Sequence, residues 1–284
     1  MRTVAVPRLI VSAIFAMLVL AGCQIEGTAS TTSREVMSGA AFDLLTESGT
    51  FHERRRVLAQ AEEVLVSNCM TANGFSYPVQ PVDAEKSEEE QKRVIGYGLS
   101  SSRAEPLANE EAHSAEYLAA LFGDDSRRMA IRLPDGGQAT FPGHGCLFES
   151  RRALFTDILT WARVTHVPES LSNRLADHVP ADPAYVAAMQ AWSKCMQERG
   201  FSYALPSDAL QDLTTRYEAE GPSEQLRRQE IDTAVADAEC AMTVKIADVV
   251  RSIKKQHLNS LTAEEILAME QLSVAWTAAA ERSQ

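Results

Sequence analysis

Few residues in this chain could do chemistry, and their spacing limits what that chemistry is. The six histidines are His52, His113, His144, His166, His178 and His257. None is paired one helical turn from a second ligand type in a recognised metal or catalytic arrangement. No G-x-S-x-G, H-E-x-x-H, Walker or dinucleotide fingerprint is present. His144 stands two residues before Cys146, and the couple could act as base and nucleophile only if Cys146 were a free thiol. Asp124-Asp125 and Glu88-Glu89-Glu90 have the oxygen chemistry for calcium, but such short acidic runs read first as a solvated loop and a solvated helix face. Glu264-Glu265 suits the positive end of a helix. Tyr97, framed by Gly96 and Gly98, is the one candidate contact residue for a ligand. This inventory asks for no metal, no cofactor and no catalytic residue.

The cysteines carry the covalent chemistry. There are five, Cys23, Cys69, Cys146, Cys195 and Cys240. The chain opens with Arg2 and Arg8 and no acids, and an apolar run follows from Leu9 to Ala21. That run has the length of a signal-peptide core and is short for a membrane span, which takes about 20 residues. It ends in Leu20-Ala21-Gly22-Cys23, which resembles a bacterial lipobox. The resemblance implies cleavage before Cys23 and diacylation of its thiol, and two acyl chains hold a protein on a membrane where one binds only marginally. Residues 1–22 are then the signal peptide and 23–33 a small, polar, lipidated tether. About ten extended residues at ~3.4 Å each let the folded body stand up to ~35 Å from the lipid. The implied location is the extracytoplasmic face of the cell membrane.

Four cysteines remain for an oxidising compartment, an even number that suggests two disulfides. No C-x-x-C pair supports a zinc site. A repeat chooses between the pairings. Ser67-Asn68-Cys69-Met70-Thr71-Ala72-Asn73-Gly74-Phe75-Ser76-Tyr77 returns as Ser193-Lys194-Cys195-Met196-Gln197-Glu198-Arg199-Gly200-Phe201-Ser202-Tyr203, with seven of eleven positions identical. Each motif cysteine is followed by one later cysteine before the next unit begins. The expected pairs are therefore Cys69–Cys146 and Cys195–Cys240, at ~4 kcal/mol each on a chain-entropy estimate.

The repeated residues also read as a helix end. With Gly74 at C′, Met70 is C3 and Phe75 is C″, which is the apolar contact of a Schellman motif closed by a left-handed glycine. Met196, Gly200 and Phe201 repeat it. Tyr77 and Tyr203 share the strand face of the preceding phenylalanine. On this reading every repeated residue except the serines has a structural task.

The elements that position these residues are mostly helices. Ser33 to Thr46 has a helical stripe of Val36, Ala40, Leu44 and Leu45. Thr50 and Glu53 have capping-box spacing before a helix to Asn73 with Leu58, Ala61, Leu65 and Cys69 on one side. Residues 82–130 form an insertion that the second unit lacks. Within it, Asp83 can cap a helix through Glu88–Glu90, Ile95 to Ser100 forms a glycine-aromatic loop, and a helix spans Glu110 to Phe122. Pro134-Asp135-Gly136 supplies a turn between strand-like runs from Ala130 to Phe141. A helix from Cys146 to about Arg163 follows, and Pro168 starts another. In the second unit Asp182 caps a helix with Pro183 at its first position and Tyr185, Met189, Trp192 and Cys195 as its buried stripe. Ser207 can cap the next helix. A long helix from Ser223 to His257 carries Ile231, Val235, Ala238, Met242, Ile246 and Val249. Thr262 and Glu265 form a second capping box ahead of a final helix to about Ala280.

The combination resembles a group of secreted and lipid-anchored proteins of high-GC Gram-positive bacteria with a duplicated Trp-Ser-x-Cys-Met-x-x-x-Gly-aromatic-x-aromatic motif. It is matched at Trp192 to Tyr203, in the Gly96-Tyr97-Gly98 loop, and in Gly145-Cys146 before an arginine-bearing helix. The first copy departs from the pattern at Val66, where the second has Trp192. The resemblance brings no activity with it.

The net charge of −12 disfavours nucleic acid and a flat approach to an anionic membrane surface. The expected fold is mainly α: two related disulfide-stapled helical units, 34–165 (with the insertion 82–130) and 166–284, with a small β hairpin in the first. The expected function is a non-catalytic binding or interaction module of the cell envelope, held to the membrane by its N-terminal lipid and partnered by an envelope protein or peptide. The alternatives are an envelope hydrolase and an immunity or sequestering lipoprotein against a membrane-active peptide.

Overall fold

The two copies of the repeated segment end their helices in the same way. In the computed structural model, which describes residues 37–82, 88–102, 114–124 and 126–284, the Phe75 N–H donates to the Met70 carbonyl at 3.0 Å and the Gly74 N–H to that of Thr71. Phe201 to Met196 and Gly200 to Gln197 repeat both bonds. These are the two hydrogen bonds of a Schellman motif, and Gly74 and Gly200 supply the positive φ it needs, at 84° and 90°. Met70 and Met196 are fully buried. The serines have a task as well, which corrects the sequence reading. Ser67 donates its hydroxyl to the Tyr77 carbonyl at 2.6 Å, and Ser193 to that of Tyr203 at 2.7 Å. Each serine ties the outgoing strand back onto the helix it has just left.

In chain order the elements are α1 (Gly39–Thr46), α2 (Phe51–Ala72), α3 (Glu88–Ile95), α4 (Leu99–Ser102), α5 (Ala115–Phe122), β1 (Arg128–Arg132), β2 (Gln138–Pro142), α6 (Cys146–Phe155), α7 (Ile158–Ala176), α8 (Pro183–Glu198), α9 (Pro206–Glu220), α10 (Glu224–Thr243), α11 (Ile246–Gln256), a short 3₁₀ turn (His257–Ser260) and α12 (Ala263–Arg282). The protein is mainly α, and β1 and β2 pair antiparallel with Ile131 opposite Ala139. Cys69 is bonded to Cys146 and Cys195 to Cys240, with Cα separations of 5.5 and 5.8 Å. The first staple joins the end of α2 to the start of α6, and the second joins α8 to the end of α10.

The described residues belong to one compact unit, Glu35–Gln284. Its largest core gathers Leu44 and Leu45 of α1, Leu58 of α2, Val164, Leu171 and Leu175 of α7, and Met269 and Leu272 of α12. Residues 165 and 166, where the sequence places the border between units, lie inside α7. The C-terminal helix α12 packs on α1, α2, α6 and α7, so the end of the chain closes over its beginning.

Several helix limits differ from the sequence reading. Thr50 makes no side-chain cap; its ψ of 6° leaves it in the preceding turn, out of the extended geometry a capping hydroxyl needs. The helix from Cys146 stops at Phe155, because Thr156 turns left-handed at φ 67° and Asp157 caps a new helix by accepting from the Thr160 N–H at 3.0 Å. That helix, α7, runs through Pro168 instead of starting there. An interior proline costs about 3 kcal/mol, but Val164, Val167, Leu171 and Leu175 are all buried on this helix, and their burial outweighs it. α9 begins at Pro206, where the Leu205 N–H donates to Asp208 Oδ2 at 2.9 Å, instead of at a Ser207 cap. The long helix from Ser223 breaks at Lys245, φ 56°, and the break turns α11 onto α8 and α7. The capping box at Thr262 and Glu265 forms as expected, with bonds of 2.8 and 3.2 Å.

Two substitutions separate the contributions to the repeated helix end. A methyl group added at Gly200 meets nothing within 4 Å, so Gly200→Ala carries conformational strain alone and costs about 1 kcal/mol in chemical denaturation. Ser193→Ala removes the tie to Tyr203 and costs a similar ~1 kcal/mol. Neither substitution disturbs the Cys195–Cys240 bond, which peptide mapping without reductant checks.

Candidate functional site

The residues singled out in the sequence fall into three places. Cys23, the signal and the tether lie outside the described residues, as do Asp83 and Asp125. The motif residues form the two helix ends. Tyr97 and its glycines go to a third place, on α10.

α10 is unusual in what it buries. Met242, expected on its inner stripe, is half exposed, while Glu230 and Asp237 are buried. Seven residues apart, the two acids share one face of the helix. Glu230 accepts from the Leu99 N–H at 2.8 Å, the Ser100 N–H at 3.1 Å and the Tyr217 hydroxyl at 2.8 Å. The two N–H groups open the single turn α4, where backbone donors have no helical partner. Asp237 accepts from the Trp192 indole at 3.0 Å, from Lys92 Nζ at 2.8 Å and from the Tyr97 hydroxyl at 3.1 Å. Outside this pair, Glu239 holds Arg93 at 2.9 Å and also pairs with Arg199. The insertion expected to belong to the first unit is thus clasped to a helix of the second. Gly96 permits the approach: its φ is 61°, and a Cβ there would lie 2.8 Å from Glu230 Cγ. Tyr97 is half-buried in this clasp, with its hydroxyl committed to Asp237. Trp192 occupies the position of Val66 in the repeat, and its indole N–H accounts for the difference because Asp237 receives it.

Besides Tyr97, three phenols are engaged with carboxylates. Tyr77 donates to Glu63, Tyr203 to Asp212 and Tyr217 to Glu230. Burial first, and then the neighbouring carboxylate, pushes each of the three up to about 12, so they remain hydrogen-bond donors at neutral pH.

The other chemical candidates resolve simply. Cys146 is a disulfide half, so it makes no thiol pair with His144. His144 Nε2 accepts from the Asp124 N–H at 3.2 Å. Glu265 caps α12 and takes a two-pronged bond from Arg174 at 2.8 and 2.7 Å, and hydrogen bonding to Arg174 holds its carboxyl below the usual range. Among the described residues no group of three or more His, Cys, Asp or Glu side chains could hold a metal ion.

The surface offers a groove of about 720 Å³ beside the second motif. Its walls are Val186, Met189 and Gln190 of α8, with Pro180, Leu205 and Pro206 around them. Among the described residues lining it, Lys194 alone is charged. Val186 and Leu205 are each more than two-fifths exposed. The first copy shows what lies on the corresponding face. After Tyr77 the chain runs back along α2, where Gln80 and Val82 donate their N–H groups to Glu63 at 3.3 Å and Gln60 at 2.9 Å. Counted from the motif cysteines, Gln60 and Glu63 correspond to Val186 and Met189. In the second copy the chain leaves this face at Pro206 to form α9, and Tyr203 turns to Asp212 on that helix. The chain matches no protein-family model, no curated protein and no solved structure.

The clasp has a measurable consequence. Glu230→Ala leaves two backbone N–H groups and a phenol without their acceptor and costs about 3 to 5 kcal/mol of stability. Limited trypsin digestion then cuts after Lys92 or Arg93 in the variant and spares those bonds in the parent protein.

Proposed function

We propose that this chain is a membrane-anchored extracytoplasmic lipoprotein, and that its folded body is a non-catalytic binding module that holds an extended, apolar segment of an envelope protein or peptide in the groove beside α8. The observation that carries the reading is the comparison of the two copies. On α2 an extended, proline-containing stretch lies along the helix face. On α8 the matching face borders a groove of about 720 Å³, within the volume range of ligand sites. Val186 and Met189 replace the two side chains that capture backbone N–H groups on α2, so apolar contact is the main attraction at this face. Gln190, Gln197 and Lys194 stand on the lining to meet the polar groups of an extended backbone.

The anchor rests on Leu20-Ala21-Gly22-Cys23. No helix of the described residues is long and apolar enough to cross a membrane. Membrane retention on this reading depends on the lipid carried by Cys23.

Two experiments test the two parts. Cys23→Ser, expressed in a Gram-positive host, moves the protein from the membrane pellet to the soluble or secreted fraction; retention in the pellet is the contrary result. For the groove, a fluorescent peptide with the sequence of residues 77–82, Tyr-Pro-Val-Gln-Pro-Val, binds the parent protein saturably. Val186→Glu, at an exposed position of the lining, weakens it about tenfold or more, since an uncompensated charge is then pressed against apolar contacts. Equal binding to both proteins, or none to either, overturns the assignment of the groove.

A further inference from the structure

The β hairpin leaves one edge open towards a second groove. The Leu133 N–H donates to the Gly137 carbonyl at 3.0 Å and the Gly143 N–H to that of Arg127 at 2.8 Å. With the observed register, positions 127, 129, 131 and 133 are then the hydrogen-bonded positions of β1. The N–H and C=O groups of Ala130 and Arg132 therefore point away from β2, and none of the described residues bonds to them. The two strands border different depressions. Phe141 and Pro142 of β2 line a small one with Leu147 and Phe148 of α6. Arg132, Leu133 and Pro134, at the end of β1, line a groove of about 590 Å³ with α7 and α12. The open edge of β1 is thus on the side of the larger groove.

The floor of that groove is apolar, with Val167 and Leu171 of α7 and Leu272 of α12 all buried. Its charged groups are Arg132, Arg163, Glu264 and Glu265. Glu265 is held by Arg174, whereas neither arginine of the lining makes an ion pair or a side-chain hydrogen bond among the described residues. Two guanidinium groups therefore face one unengaged carboxylate, on a chain that is acidic as a whole.

Side chains alternate along β1. Ile131 packs inward with Ala162 of α7, while Arg128, Ala130 and Arg132 are exposed. A strand added at this edge continues the pleat, so its side chains alternate between the apolar floor and the outer face beside Arg132. A second copy of β1 suits that place poorly: paired antiparallel about Ala130, it sets Arg128 opposite Arg132, and like charges directly opposite repel. An acidic residue opposite Arg132 is favoured by the same rule.

We propose that the β1 edge and this groove bind an extended segment of a partner protein in which acidic and apolar residues alternate, added to the hairpin as a third strand. The backbone of the segment meets the N–H and C=O groups of Ala130 and Arg132. Its apolar residues rest on Val167, Leu171 and Leu272, and its acids lie beside the arginines. The site is independent of the groove beside α8.

Fluorescence anisotropy with the full chain in detergent tests this. The probe is a labelled, acetylated and amidated Glu-Val-Glu-Leu-Glu-Val peptide, and it binds saturably. Lys-Val-Lys-Leu-Lys-Val binds about tenfold or more weakly. Methylating the amide nitrogens of one alternate set of residues in the probe weakens it about tenfold or more, and methylating the other set leaves it within about threefold, because only one set faces the strand edge. Ala130→Pro removes an N–H that no bond inside the hairpin uses, at an edge position where proline is tolerated, and weakens the probe to the same degree. Circular dichroism checks its fold, and the methylated probes test the same bonds on the unaltered chain. Val186→Glu, in the α8 groove, leaves this binding unchanged, so the two sites fail separately. The proposal is overturned by no saturable binding, by equal binding of the two methylated probes or of the lysine peptide, by a folded Ala130→Pro variant that binds as the parent does, or by a loss with Val186→Glu, which places the probe beside α8.

Discussion

Glu230 and Asp237 sit two turns apart on one helix, buried, and six hydrogen bonds converge on them. Four come from the stretch from Lys92 to Ser100, 130 or more residues away in the chain. A carboxylate taken out of water is costly unless its oxygens are met by donors. Here the donors include the opening turn of α4, which would otherwise carry unsatisfied N–H groups. Each side therefore offsets the other's desolvation penalty. The result is geometric specificity: α3 and α4 are seated on α10 in one register, and a Cβ at position 96 would already spoil it.

The repeated helix end is a second and more local constraint. Glycine at C′, methionine at C3 and the serine-to-carbonyl tie act within eleven residues, so both copies build the same object in different surroundings. What differs is what each copy meets. Cys69 is stapled to the start of a helix, Cys195 to the end of one. The first tyrosine returns to its own helix through Glu63, and the second reaches forward to Asp212. These differences send the chain along α2 in one copy and away from α8 in the other. One duplicated segment thereby yields one covered helix face and one open groove.

Interlocking follows from the same facts. The clasp ties the early insertion to α10, while α12 returns to pack on α1 and α2. The largest core draws on both halves of the sequence, from Leu44 to Met269, while a smaller cluster around Trp192 and Cys240 belongs to the second half. The groove beside α8 is built by one stretch of chain, from Pro180 to Ser207.

The sequence by itself determined the local structure. Gly74, Gly200 and their neighbours encode the helix ends, because a left-handed residue and its apolar contact are specified within a few positions. The cysteine pairing followed from the order of the repeats. The hairpin turn at Pro134-Asp135-Gly136 was legible for the same reason. The role of the serines was missed, although the identical spacing from Ser to Tyr in both copies was the available signal. Only the tertiary structure decided the rest. It carried α7 through Pro168, broke the long helix at Lys245 and turned Glu230 and Asp237 inward. An acid in a helical sequence has the same local propensity whether it faces water or a partner 140 residues away. Burial is decided by donors the chain brings from elsewhere, and no window of sequence contains both.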